Sequence, residues 1–228
     1  MKIPAILILA GAAVSAQAVV ITEWDFNASV TGGASIGTGT FSTVNTTGSS
    51  ASGVGSSDPT GGTNNSFNTA GYQAQGAGSG TAGVKGVSST VGYTNIIVEL
   101  DLRNSATASR WYQFEYSTDG TTFTNTGLAG GGVFSNSSNG TTFQNNYAFD
   151  MSAISGVSNN AAFAFRVTSI FAPSTSAYQA VGNTSTYGTA GTARFDMVQV
   201  MGAPVPEPAS MAALGLGVAA MIRRRNKK

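Results

Sequence analysis

The stretch Asn95-Ile96-Ile97-Val98-Glu99-Leu100-Asp101-Leu102-Arg103 decides the fold class. Ile96, Val98, Leu100 and Leu102 fall on one face of an extended chain and Glu99, Asp101 and Arg103 on the other, because successive side chains of a strand point to opposite sides. Alternation over this length predicts a half-buried antiparallel strand. The same period continues in Tyr112, Phe114 and Tyr116, which alternate with Trp111, Gln113 and Glu115. Thr118-Asp119-Gly120-Thr121 comes next. Asp-Gly after an alternating run predicts a hairpin, with its return strand starting at Thr122-Phe123-Thr124. Further strands are expected at 147–151, 161–171 and 192–201, the middle one with Phe163, Phe165 and Val167 on one face. Since 16 of the 21 aromatic residues lie between Tyr93 and Val200, the core should form there. Helical periodicity is confined to the two ends, so the expectation is an all-β, two-sheet jelly-roll sandwich.

Upstream the texture changes. From Ser29 to Thr90, 38 of 62 residues are Gly, Ser or Thr, and Asp58 and Lys85 are the only charges. Val30, Ile36, Phe41, Val44, Val54, Phe67, Tyr72, Val84 and Val87 nevertheless recur at short intervals. Residues 29–90 therefore read as a weakly ordered part of the domain, with short strands, long polar loops and disorder around Gly48 to Asn65.

Composition removes several chemistries from the 228-residue chain. It holds no cysteine and no histidine, which excludes disulfides, thiol nucleophiles, imidazole bases and zinc sites built on thiolate or imidazole. Only 9% of residues are charged, and 54 of the 228 are Ser or Thr, so hydroxyls and amides supply the polarity. That is the profile of an extracellular β protein.

Both ends read as addresses. Met1-Lys2, the apolar run from Ile3 to Val14 and Ala16-Gln17-Ala18 form a basic n-region, a short h-region and a small-x-small cleavage site. This predicts a secretory signal peptide over residues 1–18, with cleavage after Ala18 and an ectodomain over 19–204. Residues 205–228 carry Val205-Pro206-Glu207-Pro208, apolar residues from Ala209 to Ile222, and Arg223-Arg224-Arg225-Asn226-Lys227-Lys228. A helix over the apolar run would be about 21 Å long, shorter than the about 30 Å hydrocarbon core, and the basic tail would hold its end in the cytoplasm.

A Pro-Glu-Pro, a short glycine-containing apolar helix and an arginine cluster resemble the PEP-CTERM sorting signal, with Pro206, Glu207, Pro208, Arg223, Arg224 and Arg225 in the matching places. The resemblance implies a substrate of an exosortase, a membrane-embedded transpeptidase-like enzyme of bacteria that make exopolysaccharide. The protein would be anchored transiently in the inner membrane and then pass to the cell surface or extracellular matrix. Cutting near Ala18 and Pro208 leaves five basic residues (Lys85, Arg103, Arg110, Arg166, Arg194) against all ten acidic ones, Glu207 included. At a net charge of −5 the chain has no electrostatic support for nucleic acid binding. From Asn95 to Pro208 the chain also resembles the jelly-roll ectodomains of exosortase-sorted proteins, and more loosely the galactose-binding-like sandwiches of discoidin and carbohydrate-binding modules.

Three ligand or activity expectations follow. The looser resemblance implies a structural calcium on acids of the first and last strands, here Glu23, Asp25 and Asp196, set against solvent-facing or paired strand residues. Trp24, Trp111, Tyr112 and Tyr116 could stack on sugar rings, although aromatics at alternating positions usually build the core. Trp111, on the face shared with Gln113 and Glu115, is the candidate glycan contact. Glu23, Glu99, Asp101 and Glu115 invite a glycosidase reading, with Glu99 and Asp101 about 7 Å apart on one strand face, against which stands an ordinary solvated face. The leading expectation is a non-catalytic matrix or envelope component with no resident cofactor, followed by a glycan-binding module and then a polysaccharide-active enzyme. The Asn-x-Ser/Thr triplets at Asn27, Asn45, Asn64, Asn136, Asn139 and Asn183 read as composition.

Overall fold

The computed structural model describes residues 17–28 and 32–206, together with Gly215 and Ile222. The strands are β1 (Val19–Trp24), β2 (Gly39–Val44), β3 (Thr47–Ser52), β4 (Asn65–Ala70), β5 (Gly83–Ser88), β6 (Tyr93–Asn104), β7 (Trp111–Ser117), β8 (Val133–Ser135), β9 (Gln144–Asp150), β10 (Ala164–Ser169) and β11 (Ala193–Pro204), with one 3-10 turn at Ala129–Gly132. They form two antiparallel sheets, one in the order β3-β4-β11-β6-β9 with β1 also paired to β11, the other in the order β2-β5-β10-β7-β8. The all-β expectation holds. The apolar helices expected at the two ends lie outside the described residues, save Gly215 and Ile222. Among the described residues no helix is long and apolar enough to cross a membrane.

Aromatic side chains join the sheets face to face. Phe114 of β7 stacks on Phe149 of β9 with ring centroids 4.0 Å apart, and Phe41 of β2 meets Phe67 of β4 edge-on at 5.2 Å. The inward faces are the ones alternation selects: Ile96, Val98, Leu100 and Leu102 on β6, Tyr112, Phe114 and Tyr116 on β7, and Phe165 and Val167 on β10 are all buried. Trp24 is fully buried against Phe41 and Phe165.

The described part of the glycine- and hydroxyl-rich half, residues 32–90, carries β2 to β5, and β3 falls inside the segment from Gly48 to Asn65 where disorder is expected. Its β2 to β5 lie side by side across the two sheets, and small residues give rings a seat. A Cβ on Gly86 of β5 would collide with the Phe165 ring, and one on Gly48 of β3 would lie 2.9 Å from the Phe67 ring. Buried hydroxyls are satisfied locally: Thr22 Oγ1 pairs with Ser88 Oγ at 2.6 Å, and Thr69 Oγ1 donates to the Ala193 carbonyl at 2.9 Å while sharing a 2.6 Å bond with the Tyr72 hydroxyl. Burying a hydroxyl costs little once it is bonded.

The expected return strand at Thr122-Phe123-Thr124 does not form. Thr124 makes a single bridge to Tyr116, and β7 pairs with β8 instead. Asp119 explains the departure, since its carboxylate accepts from the Thr122 amide (2.6 Å), the Thr121 amide (2.8 Å) and the Ser117 hydroxyl (2.8 Å) and so curls the chain away from the ladder. Those donors, the Thr122 amide first, hold the Asp119 carboxyl well below the usual range.

Candidate functional site

The outer face of the β2-β5-β10-β7-β8 sheet carries Trp111, which is half-buried. Its Nε1 donates to Gln179 Oε1 at 2.8 Å. On the same face Arg166 Nε donates to Glu115 Oε2 at 2.6 Å, and the Phe123 ring lies under both the Arg166 guanidinium (4.8 Å) and the Lys85 ammonium (5.3 Å). Trp24, Tyr112 and Tyr116, the other aromatics considered for a sugar platform, are buried in the core.

The opposite sheet gathers carboxylates where β11 changes neighbour. Ala193 to Phe195 pair with β4, and Val198 to Gly202 pair with β1. Between them a register shift and a left-handed Met197 (φ +43°) interrupt the ladder. Asp196 sits in that gap, opposite Asp101 of β6. Both are buried, although alternation places them on the outward face. The 53–64 loop between β3 and β4 explains this, because it folds over them. Asp101 accepts from the Ser57 amide (2.5 Å) and hydroxyl (2.7 Å) and, on its other oxygen, from the Asn146 amide (2.8 Å). Asn27 ties the loop down by donating to Asp58 Oδ2 at 2.6 Å and accepting from the Asn65 amide at 2.9 Å.

Asp196 is less well served. One oxygen accepts from the Met197 amide at 2.8 Å, while Oδ2 is buried with no hydrogen-bond partner, as is the neighbouring Asn64 Oδ1. Burial pushes the Asp196 carboxyl up to about 7, opposed by hydrogen bonds from the Ser56 side chain and the Met197 amide and aided a little by the Asp58 and Asp101 charges. A Cβ on Gly53 would collide with both orphaned oxygens and lie 2.9 Å from the Asn65 carbonyl oxygen, so the three oxygens converge beside this glycine. Glu23 and Asp25 do not join them. Glu23 accepts from Gln199 Nε2 at 2.6 Å, and Asp25 caps the Asn27 amide at 3.1 Å. Among the described residues no three acidic side chains converge in a metal-binding group. Nor do Glu99 and Asp101 flank a cleft, since Asp101 is sealed under Ser57.

The first and last strands lie side by side. β1 runs antiparallel to β11 with Val19 opposite Gly202 and Val20 opposite Met201, so the residue after the expected signal cleavage lies beside the residues that precede Pro-Glu-Pro. Ala18 and Pro206 are exposed. Among the described residues, the bond nearest the C-terminus runs from the Val205 amide to the Gly92 carbonyl at 2.8 Å. Pro206 has no amide hydrogen with which to continue. β11 therefore ends at Pro204, with one residue, Val205, before Pro206.

Residues 204–226 match the PEP-CTERM protein-sorting motif. The PEP-CTERM motif marks a secreted protein that an exosortase recognises and sorts through the membrane to the cell surface or extracellular space. Its Glu207, Pro208 and Arg223 to Arg225, like Ala16 at the other end, lie outside the described residues. No curated protein matches the chain. Among solved structures it is similar to the K2 cleaved adhesin domain of Lys-gingipain, at 11% identity over 70% of this chain and 87% of that one with a TM-score of 0.31. The K1 cleaved adhesin domain of Lys-gingipain from Porphyromonas gingivalis W83 is similar at 11% identity over 72% and 98%, with a TM-score of 0.33.

Sequence reasoning finds the sorting signal but misses Asn27, Asn64 and Asn65 as organisers of the loop over the buried carboxylates. The available signal is the density of carboxamides around Asp58, which reads instead as chance Asn-x-Ser/Thr triplets. Asn136 illustrates the same point. It is fully buried, with Nδ2 donating to the Leu102 carbonyl at 2.8 Å, and serves the fold rather than as an attachment site.

Proposed function

We propose that this PEP-CTERM protein is a non-catalytic component of an exopolysaccharide matrix or cell envelope, exported behind a cleaved signal peptide and released from a transient membrane anchor by its exosortase. The observation that carries the reading is the junction at Val205: a complete sandwich abuts the sorting motif, so cleavage there removes no strand. β1 begins at Val19, the residue after the expected signal cleavage, which supports loss of residues 1–18. The strand order supports the jelly-roll reading, since β4-β11-β6-β9 faces β5-β10-β7-β8 and successive strands from β4 to β11 switch sheet at every step except the β7–β8 hairpin.

Chemistry favours a scaffold over an enzyme. With no histidine or cysteine, an acid–base pair would need carboxylates across an open cleft, and the buried Asp101 is spent on three donors. A glycan-binding role on the same sandwich is supported by the half-buried Trp111 alone. The test is to delete the chain in its host and compare matrix retention, then to incubate the purified protein with the host's polysaccharide. Matrix weakened without it, and no reducing ends released by it, are the expected results; sustained release of reducing ends contradicts the scaffold role. Trp111→Ala that abolishes retention on polysaccharide while leaving the fold intact would move the reading to a glycan-binding module.

A further inference from the structure

The start of β1 and the finish of β11 share one end of the sandwich with the turn that opens β6. Val19 lies opposite Gly202, Pro204 lies opposite Tyr93, and the Val205 amide reaches the Gly92 carbonyl. The loop before β10 closes the same end, with the Asn159 amide on the Tyr93 carbonyl at 2.9 Å and the Thr90 amide on the Asn160 carbonyl at 2.8 Å. Val19, Val91 and Val205 are exposed here, three of the six large apolar side chains that stand exposed among the described residues up to Pro206. The segments that build this end, 17–22, 86–98, 151–165 and 197–206, hold no charged residue, although the domain as a whole is acidic. Asp150, opposite Ile97, and Asp119, whose turn offers the Thr118 carbonyl to Asn160 Nδ2 at 2.9 Å, stand at its rim.

We propose that this uncharged end rests on the outer face of the inner membrane until the exosortase cuts, with Val19, Val91 and Val205 in the lipid headgroup layer. The inference rests on the transient anchor proposed above and adds the surface of the domain that the anchor presses against lipid. Three residues, Pro206 to Pro208, separate Val205 from the apolar run that starts at Ala209, and they span at most about 11 Å. The headgroup layer is about 5–8 Å thick on each side of the hydrocarbon, so crossing it uses most of that reach. As a helix the run would be about 21 Å long, short for a hydrocarbon core of about 30 Å, and mismatch of that sign is relieved by thinning the bilayer around the flanking residues. The connection therefore has no slack to hold the domain away from the surface. An acidic end would be repelled by anionic lipid, whereas this end carries no charge and its valines gain by leaving water. Tyr93, partly exposed beside Pro204, has the amphipathic ring that suits the interface.

The chain has no cysteine of its own, so single reporters can be placed cleanly. Residues 19–228, each version with one cysteine bearing an environment-sensitive fluorophore, are reconstituted in phosphatidylethanolamine–phosphatidylglycerol vesicles that carry a spin-labelled lipid as quencher. The reporters are Val91→Cys, Leu216→Cys inside the apolar run, and Ala190→Cys, which is exposed just before the far end of β11, about 35 Å away along the sheet. Val91→Cys and Leu216→Cys should lose most of their emission to the quencher, and Ala190→Cys should keep it. Adding Val19→Asp and Val205→Asp together should restore the emission at position 91 while Leu216→Cys stays quenched. Quenching at Leu216→Cys without quenching at Val91→Cys overturns the docking and leaves the anchor standing; no quenching at Leu216→Cys removes the anchor and the docking with it. Equal quenching at Ala190→Cys and Val91→Cys overturns the assignment of the end. So does quenching at Val91→Cys that appears only in native membranes containing the exosortase, which would give the surface to the enzyme.

Discussion

Before Tyr93 the buried polar residues are hydroxyls tied to backbone and to one another, as in Thr22 with Ser88 and Thr69 with Ala193; after Tyr93 the buried polar residues include the carboxylates Asp101 and Asp196, set beside rings such as Tyr112, Phe114, Phe163, Phe165 and Phe195 and the aliphatic face of β6. The two regions also occupy different places. β2 to β5 form one flank of the sandwich, and β6, β7, β10 and β11 form its middle. A glycine-rich flank can be well ordered when rings fill the space its small residues leave, here Phe165 of β10 against Gly86 and the flank's own Phe67 against Gly48. Low hydrophobicity in part of a chain therefore does not imply disorder when its few rings join those of another part in one core.

Substitutions at four positions test that division. Phe165→Ala should cost most, about 3–5 kcal/mol in urea unfolding, because the ring contacts Trp24, Phe41 and Phe114 as well as Gly86. If this ring supports the flank, the exchange protection of β5 should fall further than that of β6. Gly86→Ala should cost about 1–3 kcal/mol by overpacking against the same ring, and combining it with Phe165→Leu should cost less than the two separate effects together. Thr69→Val should cost about 1–2 kcal/mol by leaving the Tyr72 hydroxyl and the Ala193 carbonyl short of a partner inside the protein. Glu115→Gln should be the mildest, under about 1 kcal/mol, because the Arg166 pair is partly exposed and screened by salt. An effect of Glu115→Gln as large as that of Gly86→Ala would mean that surface charge, and not the ring seats, holds the flank.

Much of this was legible in the sequence. The alternation of β6 and β7 is set by side-chain hydrophobicity alone, so Ile96 to Leu102 and Tyr112 to Tyr116 could be assigned to the interior without coordinates. The sorting signal is linear and was readable for the same reason. Three features were not legible. Asp101 and Asp196 are buried by a loop more than 30 residues upstream of the nearer one, a contact that no local period encodes. The turn after Asp119 depends on which amides its carboxylate captures, and that outweighs the hairpin preference of Asp-Gly. The order of β3 depends on Phe67 covering Gly48, which composition alone renders as a flexible tract.

The central claim is that a domain beginning at Val19 and ending at Val205 is handed directly to the sorting machinery at Pro206-Glu207-Pro208. Intact mass with peptide mapping of the protein recovered from its host's envelope and medium tests it most directly. The account predicts an N-terminus at Val19 and loss of the tail that follows the Pro-Glu-Pro, with every strand from β1 to β11 retained. A recovered species that still carries Arg223 to Lys228 would contradict it and make the chain a plain C-terminally anchored membrane protein.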